Sequence, residues 1–272
     1  MTFFPLKIII SSLNNYGNAR GCLGHEIHIT RHIIIDMLLQ NFINKHDIII
    51  VGNNDKKFLY NLLFENVLTC DEFNWKLYNH IDLTMFTLNA TSNDDYKKFN
   101  IITPSKPYLT DEFKKKVLSI EYCYVQCDEK FVLIHHRFDD QIVNLKCICK
   151  KIKEVYGTIK IIVFNNEIEK LEPLENTVFI KNLQTYASYL HHPNCILFIS
   201  EWSGGGQLSQ YCYSGKILYY FNHYNAPDFI GREKEFIELA AISYFDNWDW
   251  KNPKDCSIQL FKNVNEMIDH LN

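Results

Sequence analysis

Three short segments hold the residue types that anion binding and acid–base chemistry use. The first is Tyr16-Gly17-Asn18-Ala19-Arg20-Gly21-Cys22-Leu23-Gly24-His25-Glu26. Gly21 and Gly24 permit tight turns and close backbone approach, and a helix start beyond them offers unpaired N–H groups to an anion or hydroxyl. His25 and Glu26 add proton-transfer side chains there. A plain strand-to-helix turn accounts for the glycines equally well. The second is Ile134-His135-His136-Arg137-Phe138-Asp139-Asp140. Alternation in a strand puts His135 and Arg137 on one side, and an arginine grips a diphosphate bidentately and stabilises departing negative charge. A solvated strand end is the plain alternative, and the His/Asp spacing is too dense to diagnose a metal. The third is Ser200-Glu201-Trp202-Ser203-Gly204-Gly205-Gly206-Gln207. Consecutive glycines between a buried strand and a helix cost backbone entropy, which a phosphate-cradling turn would justify. A β-carbon at Gly205 is therefore expected to obstruct a ligand more than it harms the fold.

The elements that must position these segments alternate in character. Short β-branched apolar runs are followed by longer amphipathic ones, the pattern of parallel βαβ units. Lys7–Ser11 reads as the first strand, about 24–43 as a helix, 47–52 as a strand, about 55–64 as a helix and 99–102 as a strand. Thr103-Pro104-Ser105-Lys106-Pro107 must be a loop, and Thr110 N-caps a helix to about Glu121 with Phe113, Val117 and Ile120 on one face. A second series starts at Phe131–His135 and runs through a helix at about 141–156 and strands at 159–164 and 177–180. It continues with a helix at 183–190, the strand Cys195–Ser200, a helix near 207–213 and the strand 216–221. An acidic helix (233–241), an aromatic loop and a strand-plus-helix ending follow. The spacing thus predicts an α/β chain of two Rossmann-like halves facing a cleft. Residues 1–125 would form the acceptor side and 126–272 the donor side, with the last helix free to pack back on the first half. In such sheets ligands sit beyond the carboxyl ends of the strands, which is where all three segments fall.

Composition narrows the classes. The 272 residues suit two halves of about 110–140 residues; 47% are hydrophobic and 22% charged, as in an ordinary globular chain. A net charge of −4 argues against a nucleic-acid platform. The N-terminus lacks a basic region and cleavage site, and no apolar run reaches the roughly 18 residues of a membrane span. Nine scattered cysteines without zinc-like pairs are expected to be free thiols in a cytoplasmic protein. His25, His28 and His32 read as polar-face residues of their helix.

The three segments in this order resemble the α-1,2/α-1,6-fucosyltransferase superfamily. Members open with G-G-L-G-N-Q after the first strand, where this chain has Gly21-Cys22-Leu23-Gly24-His25-Glu26. Their central H-x-R-R-x-D is matched by His135, Arg137 and Asp140, with Phe138 in place of the second arginine. Their serine-rich turn before a donor-binding helix is loosely matched by Ser200–Gln207. The resemblance covers residues 6–45 and 130–222.

It implies a GT-B-type, inverting, metal-independent glycosyltransferase without a cofactor. The enzyme would move a sugar from a nucleotide-diphosphate sugar, GDP-fucose favoured, to a glycan hydroxyl. Arg137 would bind the diphosphate, with His135 and Asp140 near the base. Ser203, Gly204, Gly205, Gly206 and Gln207 would cradle phosphate. Glu26 at the mouth of the first loop, with His25 behind it, is the base for the acceptor. Two other classes fit the same scaffold: a nucleotide-sugar epimerase or hydrolase, and a non-catalytic nucleotide- or glycan-binding protein, which the missing second arginine favours.

Overall fold

The computed structural model describes residues 7–10, 23–27, 31–41, 43–46, 48–52, 54–69, 72, 81–82, 110–136, 142–165, 174, 176–221, 254 and 256–271. The chain divides into two compact units, Met1–Glu121 with Ile242–Trp250, and Tyr122–Ala241 with Lys251–Asn272.

In the first unit β1 (Lys7–Ile10) leads to α1 (Leu23–His25) and α2 (Arg31–Leu39). After β2 (Ile48–Gly52) come a 3₁₀ helix (Asn54–Leu59), β3 (Asn66–Thr69), β4 (Ile81–Asp82) and α3 (Asp111–Val117). The strands are parallel in the order β3-β2-β1-β4. The helix expected over 24–43 is thus described as two pieces, and the strand expected at 99–102 lies outside the described residues. Thr110 caps α3 as its sequence predicts, accepting the Phe113 amide, and Phe113 and Val117 are buried.

One side chain ties this unit together. Arg31, at the start of α2, is fully buried. Its guanidinium donates to the carbonyls of Leu59 (2.8 Å), Lys116 (3.1 Å), Ser119 (2.7 Å) and Val117. Three of those carbonyls belong to the end of α3 and the turn after it, where a helix leaves acceptors unpaired and a cation is favoured. The fourth ends the 3₁₀ helix. The α-helix predicted over 55–64 is a 3₁₀ helix followed by turns. Tyr60, next in sequence, donates its hydroxyl to the Glu26 carboxylate. Burial first, then the Glu26 charge and this hydrogen bond, hold the phenol well above its usual pKa, with Arg31 pulling the other way. His32 is buried edge-on against Phe113, with ring centroids 5.8 Å apart, rather than on the polar face its spacing suggested.

In the second unit β5 (Phe131–His135) is followed by α4 (Ile142–Tyr156), β6 (Lys160–Phe164), β7 (Thr177–Ile180) and α5 (Leu183–His191). Then come β8 (Cys195–Glu201), α6 (Gly204–Gln207), α7 (Ser209–Cys212), β9 (Lys216–Tyr220), β10 (Ser257–Phe261) and α8 (Val264–His270). Gly157 closes α4 at a φ of 69°, a left-handed position that suits a residue without a β-carbon. The six strands are all parallel, ordered β10-β9-β8-β5-β6-β7. Counted from β5 this is the doubly wound order 3-2-1-4-5-6, which reverses between β5 and β8.

Each central strand is buried on both faces. On one face Val132, Ile134, Ile161, Val163, Leu197, Ile199, Leu218 and Tyr220 pack against Leu145, Ile148 and Ile152 of α4 and Met267 of α8. The last helix contributes Met267 to the core of this unit, and Leu271 just after it is buried there too. On the other face Phe164 stacks on Tyr186 of α5 at 4.2 Å, and Phe198 meets Tyr186 and Tyr219. Seven described cysteines are unbridged, and no helix among the described residues is long and apolar enough to cross a membrane.

Arg31→Met should cost roughly 3 kcal/mol or more, since it strands several buried carbonyls, each worth about 1–3 kcal/mol when left without a donor. Urea melts should show the loss, and hydrogen exchange should show it concentrated at 111–119. Arg31→Lys should recover little, because an ammonium cannot span the same fork of acceptors. A methionine variant within 1 kcal/mol of wild type would contradict the role.

Candidate functional site

The reversal between β5 and β8 brings two of the three segments together. His135 ends β5 and pairs in register with Ser200 on β8. Parallel register and alternation put both side chains on the α5 face, where His135 Nδ1 lies 3.1 Å from Ser200 Oγ and 3.4 Å from Ser203 Oγ. Ser200 donates its hydroxyl proton to the Glu201 carbonyl at 2.6 Å. It is then left to accept from the imidazole, which puts the ring proton on Nδ1. Phe164 flanks the ring at 5.5 Å and Tyr186 at 5.8 Å, and only 6% of the residue is exposed.

The glycines do not precede the helix, as the sequence suggested; they form its first turn. Ser203 is the N-cap, accepting the Gly206 amide at 3.2 Å. The amides of Gly204 and Gly205 are not engaged by that cap. The carbonyls are held from below by two buried tyrosines, Tyr186 to Gly205 at 2.9 Å and Tyr219 to Gly206 at 3.1 Å. Burial keeps both phenols well above their usual pKa, so they remain donors.

The need for glycine comes from below the turn. A β-carbon on Gly205 would stand 2.4 Å from His135 Nε2. One on Gly206 would stand 2.3 Å from Ser200 Oγ and 3.0 Å from the Glu201 carbonyl. Two of the three glycines thus let α6 sit directly on the ends of β5 and β8. This corrects the expectation that a side chain at Gly205 would spare the fold.

The remaining residues fall differently. Arg137, Asp140 and Gly21 lie outside the described residues, and of His25 only the backbone is described. Gly24 is buried in α1. The Glu26 side chain is fully enclosed and accepts a hydrogen bond from the Tyr60 hydroxyl. Gln207 is half-buried and ends α6. Tyr186 and Tyr219, which fix the turn, carry no local sequence signal. They sit on apolar stripes where an aromatic residue reads as core.

Gly205→Ala should destabilise the protein by about 1–3 kcal/mol through overpacking against the imidazole. Removing the ring should relieve the clash, so Gly205→Ala and His135→Ala should be non-additive in thermal melts, the double variant being more stable than the sum of losses predicts. Additive losses would show that His135 is not what the glycine makes room for.

No protein-family model matches the chain, and no curated protein is similar to it in sequence. Among solved structures it is similar to the dodecameric iron-containing heptosyltransferase TibC in complex with ADP-D-β-D-heptose. The identity is 10% and the TM-score 0.49, over 92% of this chain and 64% of that one, so this chain spans less than two thirds of that relative's length. The TibC structure from enterotoxigenic E. coli gives 10% identity and a TM-score of 0.47, over 92% of this chain and 67% of that one. A family 9 glycosyl transferase from Veillonella parvula gives 12% identity and a TM-score of 0.46, over 99% of this chain and 92% of that one.

Proposed function

We propose that this chain is a glycosyltransferase that takes a sugar from a nucleotide-diphosphate sugar, GDP-fucose favoured, and passes it to a glycan hydroxyl. The observation that carries the proposal is the serine-capped turn Gly204–Gly206, seated on β5 and β8 where the strand order reverses. Doubly wound sheets take nucleotides at that crevice, and a helix start there favours phosphate. Arg137 follows His135 by two residues, close enough in sequence to bring a cation to the same edge. Fold analogy alone does not assign chemistry; the residue types at this edge are the reason for choosing transfer.

In this proposal the Gly204 and Gly205 amides face phosphate. Arg137 neutralises the charge that develops on the departing diphosphate, and Asp140 lies toward the nucleoside. His135 acts beneath the turn, holding it in place. The acceptor's base is drawn from His25 and Glu26, and for Glu26 this requires that the Tyr60 hydrogen bond open when an acceptor arrives, because a base must reach the proton it removes. Neither a cofactor nor a metal is required, and the cytoplasm is the proposed compartment. Phe138, standing where the resembled family has a second arginine, favours a second reading in which the site binds a nucleotide or glycan without turning it over.

A thermal-shift screen with GDP, UDP and their sugars should raise the melting temperature with at least one nucleotide, because ligand that binds only the native state stabilises it. With that donor, Arg137→Ala should lower the transfer rate about 10²–10³-fold at unchanged melting temperature. Wild-type turnover in that variant would remove Arg137 from the site. Activity should also survive EDTA. Loss on chelation that Mn²⁺ or Mg²⁺ restores would move the diphosphate's partner from Arg137 to a metal.

A further inference from the structure

In the first unit the turns after the 3₁₀ helix and the side of α3 facing them border an open groove of about 450 Å³, lined by Leu62, Leu63, Asp111, Glu112, Lys115 and Lys116. Leu63 is buried, whereas Leu62 is 59% exposed. Asp111 and Glu112 stand in the first turn of α3 and Lys115 and Lys116 in its last. The groove therefore runs from a negative end to a positive end about 6 Å further along the helix axis.

Complementing the helix dipole accounts for the order of these charges. It does not account for a leucine left in water beside them, since covering such a side chain is favourable. Nor are the charges spent on one another, because no ion pair among the described residues involves any of the four. These features narrow the partner. A surface of one sign would suit one end of the groove and be repelled at the other. What fits is a surface with an apolar side chain beside charges in the opposite order.

The same groove, turned by a half-rotation about an axis perpendicular to α3, is such a surface. Two copies of α3 then run antiparallel. Asp111 and Glu112 of each copy face Lys115 and Lys116 of the other, and Leu62 of each meets the leucines of the other. A parallel arrangement would set like charges together. A two-fold contact uses one patch on both copies and closes at two.

We propose that this groove is a self-association surface, taking a second copy of the chain through antiparallel α3 helices. The proposal does not depend on the transfer function. A patch of this size makes a weak, reversible dimer. Exposed ion pairs add little affinity and mainly set orientation, so covering Leu62 supplies most of the attraction.

Sedimentation velocity of the full-length chain, from low to several hundred micromolar, tests the surface. The average mass should rise from monomer toward dimer with concentration, and rise less in high salt, where the end charges are screened. Leu62→Asp changes an exposed side chain, so it should leave the melting temperature unaltered while weakening association about tenfold or more. Lys115→Glu with Lys116→Glu makes the groove negative throughout, and Asp111→Lys with Glu112→Lys makes it positive throughout. Each of these two variants should stay monomeric alone, and an equimolar mixture should recover the dimer. A wild-type chain that is monomeric at every concentration overturns the proposal and leaves the groove to a different protein. Association unchanged by Leu62→Asp overturns it by placing the contact elsewhere, as does a mixture of the folded charge variants that stays monomeric. If either charge variant fails to fold in a melting control, Leu62→Asp decides alone.

Discussion

A parallel sheet covered by helices on both faces can place polar side chains in quantity only at the ends of its strands. In the second unit β5, β6, β8 and β9 obey this constraint closely, with apolar side chains on both faces until the carboxyl edge. At that edge the chemistry changes within one residue. One face receives His135 and Ser200, the other His136 and Glu201, because successive side chains in a strand point to opposite sides. The edge is also where the strand order reverses and the flanking connections part. Polarity and the opening for a ligand are thus placed together by the same topology.

Close packing then decides what can sit on that edge. α6 approaches so near that a single β-carbon at Gly205 or Gly206 would collide with His135, Ser200 or the Glu201 backbone. Tyr186 and Tyr219 reach through the core to hold the carbonyls of the turn, so its amides face away from them. Aromatic stacking of Tyr186 on Phe164 couples the turn to the sheet interior. The turn is therefore an extension of the core, which gives it the rigidity that a binding surface needs to be pre-organised.

The first unit meets a different difficulty with one residue. Helix ends leave carbonyls without amide partners, and here several of them converge inside the unit. Arg31 answers them with one planar fork of donors, a geometry lysine cannot reproduce. In a chain that uses arginine at four positions (Arg20, Arg31, Arg137 and Arg232), one is fully committed to structure. Rarity of a residue type did not by itself mark a binding residue.

The local patterns in the sequence determined much of the second unit. Phe131–His135, Cys195–Ser200 and the helix over 142–156 could be read directly, since continuous apolar runs mean doubly buried strands and a 3.6-residue period means an amphipathic helix. The Thr110 cap was equally legible, because its side chain bonds three residues away. Interactions between residues distant in the chain were not legible. His32 and His136 look like polar surface residues in sequence and are buried by elements far from them. Glu26 reads as a loop base until Tyr60 encloses it. The glycines read as a phosphate turn, and only the tertiary structure reveals that His135 and Ser200 lie directly beneath two of them. Composition and periodicity report which face of an element seeks the core. What that face meets depends on strand order and register, which are set by contacts between segments tens of residues apart and leave no mark on either segment alone.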